Sequence, residues 1–514
     1  MSFLGLYRDP VVARVTARCD WRIADLVGSR QPVTLYLVVP PSDINRTKPL
    51  IRLILNQIGR RLTEELTTSG KRHRLLLMLD EFPALGRLDF FESALAFMAG
   101  CPTGRCSRWF RLTWSFVIIE CDQVLGWGSG AAIRGAVPQS RGGGGARRLR
   151  EQGMDVTVVG CGAGACAAAV ELLAAGHRVR VWSRSRATIA PHLERGGIVY
   201  DGVLGEGLAV PQLMTTDLAE ALAGADAAVV VLPTFLHAGV ARAMIDADMR
   251  VDMPVILNPG HTGGALEFAQ AFVQAGRRPP PLVEFSTLTY VARKYGPDSV
   301  TVSGRAGAVR AAPLGASREV LDLAIGLFPG ATPVRDVLAS GLCNVNMVLH
   351  APGAVLAAAW VEATGGNFTF YVEGMTEGVA RVVRALDGER LAVARAFDHD
   401  LPNLMGEMQK IGTIDALDDP DDYRGAISAG SANQRIRAPG SFDHRYYKED
   451  FGHGLLPFLE LAQIAGVDVP VAVALMRLAE TAVDVDYRAG GRTAQAMGIA
   501  GLSLAGLLEK VRAA

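Results

Sequence analysis

Two short runs in the second half of the chain carry side chains suited to moving a proton and gripping an acid. Asn344-x-Asn346-x-x-x-His350-Ala351-Pro352 sets an imidazole one helical turn beyond an amide. Asn346 is placed either to hydrogen-bond a bound group or to cap the helix that carries His350. Arg445-Tyr446-Tyr447-Lys448-Glu449-Asp450 sets a guanidinium five residues before a carboxylate. Singly these are ordinary features. A lone histidine on an apolar helix usually fills a core, and an Arg–Asp pair is usually a surface ion pair worth little. Together they supply a proton donor near neutral pH, a carboxylate to fix its tautomer, and a cation for a substrate carboxylate. A third run, Asp486 through Gly498, reads as a glycine-bearing turn between helices and takes no role.

Such groups need a partner that supplies the chemistry, and the middle of the chain encodes one. From Met154 the text runs strand, glycine turn, helix, second strand, with Gly160, Gly162, Gly164 and Ala165 in the turn. Gly160 permits the sharp strand-to-helix turn and Gly162 lets the backbone approach a pyrophosphate. Ala165 allows close helix–strand packing. The pyrophosphate then rests on free N–H groups at the positive end of the helix. The second strand, Val179–Trp182, ends in Ser183-Arg184-Ser185-Arg186, where an NAD site carries an acid for the ribose 2′-hydroxyl. A guanidinium at Arg184 suits a 2′-phosphate, so NADP(H) is the favoured cofactor and NAD(H) the alternative. A short helix at Asp217–Ala223 and strands at Ala227–Leu232 and Val255–Leu257, the last leading into Asn258-Pro259-Gly260, continue the alternation. The fold class is an α/β Rossmann domain, a doubly wound parallel sheet, followed by a mainly α-helical catalytic domain after about Val337.

Composition sets outer limits. The 514 residues are too many for one core, and 49% hydrophobic with 20% charged residues is globular. Lys plus Arg (52) equals Asp plus Glu (52), so no net field draws the chain to nucleic acid or an anionic membrane. Seven cysteines are too few for a disulfide scaffold. Cys101 with Cys106 and Cys161 with Cys166 are each five apart and form no C-x-x-C motif, so reduced thiols in a cytoplasm and no metal site are expected. Apolar runs such as Ala351–Val361 are too short for a membrane span of about 20 residues.

The N-terminal third has another character. Residues 1–100 read as α/β, with a strand at Val33–Val39, a helix from Lys48 to about Leu66, and a strand Leu75–Leu79 ending in Asp80-Glu81. A strand finishing in Asp-Glu suits a Mg²⁺ and water site for nucleotide hydrolysis. The phosphate loop such a site requires is missing, since Gly70-Lys71 is followed by Arg72. This α/β fragment is therefore not expected to function alone. Residues 101–153 show no period of 3.6 or 2 and combine Arg with Gly-rich text, the pattern of an irregular, disordered linker. The expected organisation is a fragment at 1–100, a linker at 101–153, a dinucleotide domain at 154–330 and a helical domain at 331–514. A gene fusion accounts for it, with out-of-frame or intergenic sequence joining an unrelated fragment to an enzyme starting at Met154.

Two resemblances bear on these segments. The glycine fingerprint, the N-x-N-x-x-x-H-x-P run and the R-x-x-x-x-D spacing resemble the octopine/nopaline (opine) dehydrogenase family over nearly all of 154–514. That family joins an amino acid's amine to a 2-oxo acid and reduces the imine with NAD(P)H. The resemblance implies His350 as general acid/base, Asp450 as its orienting partner, Arg445 as the clamp on a substrate carboxylate, and Asn346 as a further contact. Partners would be an amino acid and a 2-oxo acid, with neither nucleic acid nor membrane; a homodimer is left open. The loops around Gly365–Tyr371 and Asp415–Arg437 are candidate pocket walls, and the acidic stretch 412–428 is either a cover or a solvated loop. Residues 1–100, with "LYLVVPPSDINRTKPLIRLILNQI" and "LLLMLDEFPALGRLDFFESALAFMAG", resemble a fragment of the coupling ATPases of conjugative type IV secretion. Two rival functions follow. One is a 2-hydroxy acid or sugar-phosphate dehydrogenase, which needs a catalytic lysine such as Lys294 or Lys448. The other is a DNA-transfer accessory protein.

Overall fold

The computed structural model describes residues 153–513, apart from 415–418, 420 and 431–432. It also describes short stretches nearer the N-terminus, chiefly 22–29, 50–55 and three strands. The chain divides into two compact units, Met1–Gln139 and Ser140–Ala514.

In the first unit, the strand Leu76–Leu79 pairs antiparallel with Phe116–Glu120, which pairs in turn with Phe110–Thr113. The chain is helical at residues 50–55 and 57–58, inside the helix expected from Lys48. Most of the strand expected at Val33–Val39, and the whole Asp80-Glu81 pair, lie outside the described residues. Residues 110–113 and 116–120 correct one expectation: they form strands where an irregular linker was expected. The run Phe116-Val117-Ile118-Ile119 has the β-branched and aromatic composition that strands favour. One of its partners, Phe110–Thr113, is its immediate neighbour in the sequence, whereas the other, Leu76–Leu79, lies beyond any local window.

The second unit is built on an eight-stranded sheet. Asp155–Val159 (β1), Arg178–Trp182 (β2), Leu213–Thr215 (β3), Ala227–Val230 (β4), Val255–Leu257 (β5) and Leu282–Phe285 (β6) are parallel, in the spatial order 3-2-1-4-5-6. This is the doubly wound dinucleotide-binding order, whose crevice opens where the order reverses, between β1 and β4. Val309–Leu314 (β7) adds antiparallel to β6, and Ala331–Pro333 (β8) closes that edge. The central strands β4 and β5 are buried throughout, hence their unbroken Val/Ala/Ile/Leu text.

The helix Ala163–Ala174 (α1) follows the glycine turn and is apolar nearly all round, with Ala165 through Leu172 buried. The reason is a second, four-stranded sheet of Tyr290–Arg293, Ser299–Arg305, Ile198–Gly202 and Gly207–Ala209, which covers its outer side. Arg186–Arg195 (α2) follows β2, His237–Asp246 (α3) follows β4, and Gly264–Gln274 (α4) follows β5.

After β8 the described chain is helical. Val345–Leu356 (α5), Glu377–Ala396 (α6), Arg445–Asp450 (α7), Leu456–Ala465 (α8) and Pro470–Val483 (α9) share one large hydrophobic core with the β4–β5 side of the sheet. Arg492, fully buried, fastens this half to the sheet. Its guanidinium donates to Glu267 of α4 at 2.9 Å, to the Thr262 carbonyl at 2.7 Å and to the Thr234 carbonyl at 3.2 Å. Among the described residues no single helix is long and apolar enough to cross a membrane.

Candidate active site

The helix α5 starts at Asn344, whose side chain accepts from the Met347 N–H. Asn344 is therefore the cap, and the capping alternative for Asn346 falls away. Asn346 is half-buried and, among the described residues, its side chain has no hydrogen-bond partner, so its amide is free for a ligand. One turn further on, His350 is 2% exposed.

A tight knot of contacts brings α7 against α5. His350 Nδ1 lies 2.6 Å from Asp450 Oδ2, and the Tyr447 hydroxyl donates to the Ala354 carbonyl at 3.0 Å. The other imidazole nitrogen, Nε2, lies 2.6 Å from the Tyr371 hydroxyl. Burial, with Tyr446 beside it, holds the Tyr371 hydroxyl well above its ordinary pKa, so it stays a neutral phenol that donates. For a neutral imidazole the network therefore assigns the ring proton to Nδ1, donated to Asp450, with Nε2 as the acceptor. The Tyr446 ring stacks on the imidazole with centroids 3.8 Å apart. The Arg445 guanidinium lies 5.7 Å from the centre of the same ring. Arg445 is exposed at the start of α7 and makes no ion pair among the described residues. Desolvation works against its charge, but the Glu449 and Asp450 carboxylates outweigh it and raise the guanidinium pKa.

The knot is docked on the sheet where the strand order reverses. Glu449 Oε1 accepts from the Thr234 N–H at 2.8 Å and from its hydroxyl at 3.0 Å, and Thr234 follows β4. On the β5 side, Asn344 donates to Thr262 at 3.2 Å. Across the crevice stands the glycine turn after β1. Gly160 has φ of 136° and a Cβ there would sit 2.4 Å from the Val231 carbonyl oxygen, so no other residue fits. Gly162 is exposed, and a Cβ there would meet nothing within 4 Å. No side chain caps α1, which leaves the first N–H groups of the helix facing that space. Ala165 is buried against Gly160, and Gly164 is crowded by Leu288. An open anion cradle of backbone donors is what a dinucleotide pyrophosphate requires. At the end of β2, the Ser183 hydroxyl accepts from the Ser185 N–H at 3.4 Å. Arg184 is exposed and without an ion pair among the described residues.

Both wall loops named from sequence reach this site. The Thr369 backbone bridges to Arg437, and Ser428 donates to the Tyr371 carbonyl at 3.0 Å. Part of the acidic stretch 412–428 lies outside the described residues. Its end forms a helix, Tyr423–Ala429, capped by Asp422 and anchored by Tyr423 to Asp387 at 2.7 Å. Neither lysine of the rival dehydrogenase reading is bonded to His350. Lys448 is exposed and paired with Asp443, and Lys294 is bound to His192 at 2.7 Å. Sequence reasoning missed Tyr371, Tyr446 and Arg492. Only Arg492 left a trace, as an arginine beside paired glycines in the run given no role.

Sheet order, glycine turn and a buried imidazole–carboxylate pair define a nicotinamide-dependent dehydrogenase with a helical catalytic half. Residues 333–483 match the family model described as NAD/NADP octopine/nopaline dehydrogenase, alpha-helical domain. An opine dehydrogenase of Arthrobacter sp. (strain 1C) is 33% identical over 356 residues, 69% of this chain and 98% of that protein. The chain belongs to the opine dehydrogenase family and is an NAD(P)-dependent oxidoreductase acting on a CH–NH group. Two solved structures share the fold. Octopine dehydrogenase with NADH and L-arginine has a TM-score of 0.56 at 20% identity, over 69% of this chain and 98% of its own. Yersinopine dehydrogenase with NADP⁺ has a TM-score of 0.56 at 14% identity, over 68% and 98%. Residues 1–102 match the model for type IV secretory system conjugative DNA transfer. A conjugal transfer protein TraG of Escherichia coli is 49% identical over 105 residues, 19% of this chain but only 16% of TraG.

Proposed function

We infer that residues 154–514 condense the amine of an amino acid with a 2-oxo acid and reduce the imine, with NADP(H) preferred over NAD(H). The observation that carries this reading is the 2.6 Å contact between His350 Nδ1 and Asp450, which leaves Nε2, bonded to the Tyr371 hydroxyl, as the nitrogen to accept a proton. His350 takes a proton from the incoming amine at Nε2 and returns it to the oxygen that leaves as water. Asp450 holds the Nδ1 proton and steadies the imidazolium while both ring nitrogens are protonated. Tyr371 occupies the proton-accepting nitrogen until substrate displaces its hydroxyl or bonds to it. Arg445 grips a substrate carboxylate, a role supported by its exposure and its lack of an ion pair, and Asn346 offers a neutral amide one turn away. NAD(P)H, held at Gly160, Gly162, Gly164 and Ala165, supplies the hydride. The cofactor preference rests on Arg184, exposed beside Ser183 just after β2, the strand end that serves the ribose in dinucleotide folds.

The four-part division at 100, 153 and 330 is proposed with it, the N-terminal parts being the remnant of a gene fusion. The family model beginning at residue 333 and the DNA-transfer match ending at residue 102 support those two boundaries. The cytoplasmic setting proposed with it is supported by thiols that are free among the described residues, Cys161, Cys166 and Cys343. The experiment is NADPH oxidation by the full chain, and by residues 154–514, against 2-oxo acids with and without added amino acids. Consumption that needs both substrates supports the reading. Equal consumption by the 2-oxo acid alone overturns it.

A further inference from the structure

Beneath the glycine turn lies a group of side chains that the reaction does not use. Cys161, between Gly160 and Gly162, is buried, and so is Cys166 on α1. His192 on α2 is fully buried, and ligating atoms of the three residues lie within 4.8 Å of one another. The Cys166 sulfur is 3.6 Å from the Cys161 carbonyl oxygen and 3.9 Å from His192 Nε2. The Lys294 ammonium reaches into the same space, donating to His192 Nε2 at 2.7 Å and to the Cys161 carbonyl at 3.1 Å.

This set resembles a metal site, but its details favour another use. The ammonium already supplies the cation, and it engages the His192 nitrogen that faces the Cys166 sulfur. His192 Nδ1 is buried without a partner, whereas a ligating histidine ordinarily has its second nitrogen anchored. What remains is a buried thiol pair beside a positive charge, and such a charge favours the thiolate form of one cysteine. The Cys166 thiol, with His192 and Lys294 behind it, draws the Cys161 pKa down to about 5. Hydrogen bonding to Cys161 and burial push Cys166 well above its ordinary value. Of the two sulfurs, Cys161 is therefore the one that gives up its proton more readily.

We propose that Cys161 and Cys166 form a reversible oxidation site in the dinucleotide turn, closing to a disulfide with peroxide and loosening the cofactor cradle. The Cys161 thiolate attacks one peroxide oxygen, the O–O bond breaks, and the departing hydroxide takes a proton to become water. The Cys166 sulfur then attacks the resulting sulfenic acid, the S–O bond breaks, and the Cys166 proton leaves with the oxygen as a second water. Two thiols lose two electrons and one peroxide gains them. Bonding at about 2 Å requires the sulfurs to close from their present spacing. That movement pulls Cys161, and with it the turn, toward α1, where the Cys166 N–H holds the Gly162 carbonyl at 2.9 Å. The effect on the cofactor rests on NAD(P) binding at this turn, whereas the disulfide itself does not.

The test is peroxide treatment of the full chain, followed by non-reducing peptide mapping and by NADPH titration. The expected results are a linked 161–166 peptide, a rise of about tenfold or more in the NADPH Kd, and recovery with dithiothreitol. Cys166→Ala should lose both the linked peptide and the rise in Kd, each read against the same variant untreated. Lys294→Met should slow disulfide formation by about tenfold, because its thiolate is less favoured. Three outcomes would overturn the proposal: no linked peptide at any peroxide dose, a linked peptide with unchanged Kd, or one zinc per purified chain that is lost in Cys166→Ala. If untreated protein binds no NADPH, the cofactor reading fails by itself, and the peptide map still decides the chemistry.

Discussion

His350 and Asp450 stand 100 residues apart in the chain, yet Nδ1 of one lies 2.6 Å from Oδ2 of the other. Both are buried, at 2% and 4% exposure, on helices held together by Tyr447 and docked on the sheet by Glu449. A pair so placed sets the tautomer before substrate arrives, which is the condition for general base action at Nε2.

His350→Ala should lower kcat by roughly 10²-fold or more while cofactor affinity stays unchanged. Asp450→Asn should approach that loss with little change in shape. Its amide can donate to Nδ1, which would move the imidazole proton to Nε2, the nitrogen that must accept. Steady-state kinetics beside a cofactor titration measures both variants. A near-parental rate in either one removes that residue from the scheme.

Arg445→Ala should raise the KM of one carboxylate substrate by about 10- to 100-fold with a smaller change in kcat. Arg445→Lys keeps the charge but loses the two-pronged geometry, so it should recover only part of the loss. Varying each substrate in turn shows which carboxylate the guanidinium holds.

Arg184→Asp should invert the cofactor preference. The carboxylate repels a 2′-phosphate and accepts from a 2′-hydroxyl, so NADPH efficiency should fall by about tenfold or more while NADH efficiency holds or rises. The ratio of kcat/KM for the two cofactors is the measurement, and an unchanged ratio excludes Arg184.

Glu284 on β6 makes stability depend on pH. It accepts from the Ala265 N–H at 2.8 Å and from Ser340 at 2.6 Å, and burial raises its pKa to about 7. The unfolded carboxyl titrates near its ordinary value of 4.5, so between these limits the folded state holds more protons. Stability from this group therefore falls as pH rises through that window and stays low above it. Glu284→Gln removes the term, so its stability relative to the parent should rise by up to about 3 kcal/mol from about pH 5 to about pH 8. Urea unfolding at the two pH values decides it. A difference that does not change with pH would show that Glu284 titrates normally.

Much of the dehydrogenase was legible before any coordinates. The β1–turn–α1–β2 unit shows in local text because a sharp turn, a close backbone approach and a buried helix each demand particular residues at short, fixed spacing. His350, Asp450 and Arg445 could be named as candidates from residue types, and the loops at 365–371 and 415–437 as candidate walls through the family resemblance. The Tyr371 hydroxyl on Nε2 and the Tyr446 ring on the imidazole could not, because tyrosines in such runs are ordinary core residues. The same holds for the strand at 116–120, one of whose partners comes from 76–79, and for Arg492, whose acceptors are mostly backbone carbonyls with no sequence signature.

By itself the sequence determined the alternation of strands and helices, the glycine cradle and the types of side chain available, since propensity and periodicity act over one or two turns of chain. Only the tertiary structure decided which of those side chains meet. Contacts such as His350 with Asp450, or Lys294 with His192, join distant segments, and they form only when the packing of a whole core repays the entropy of bringing them together.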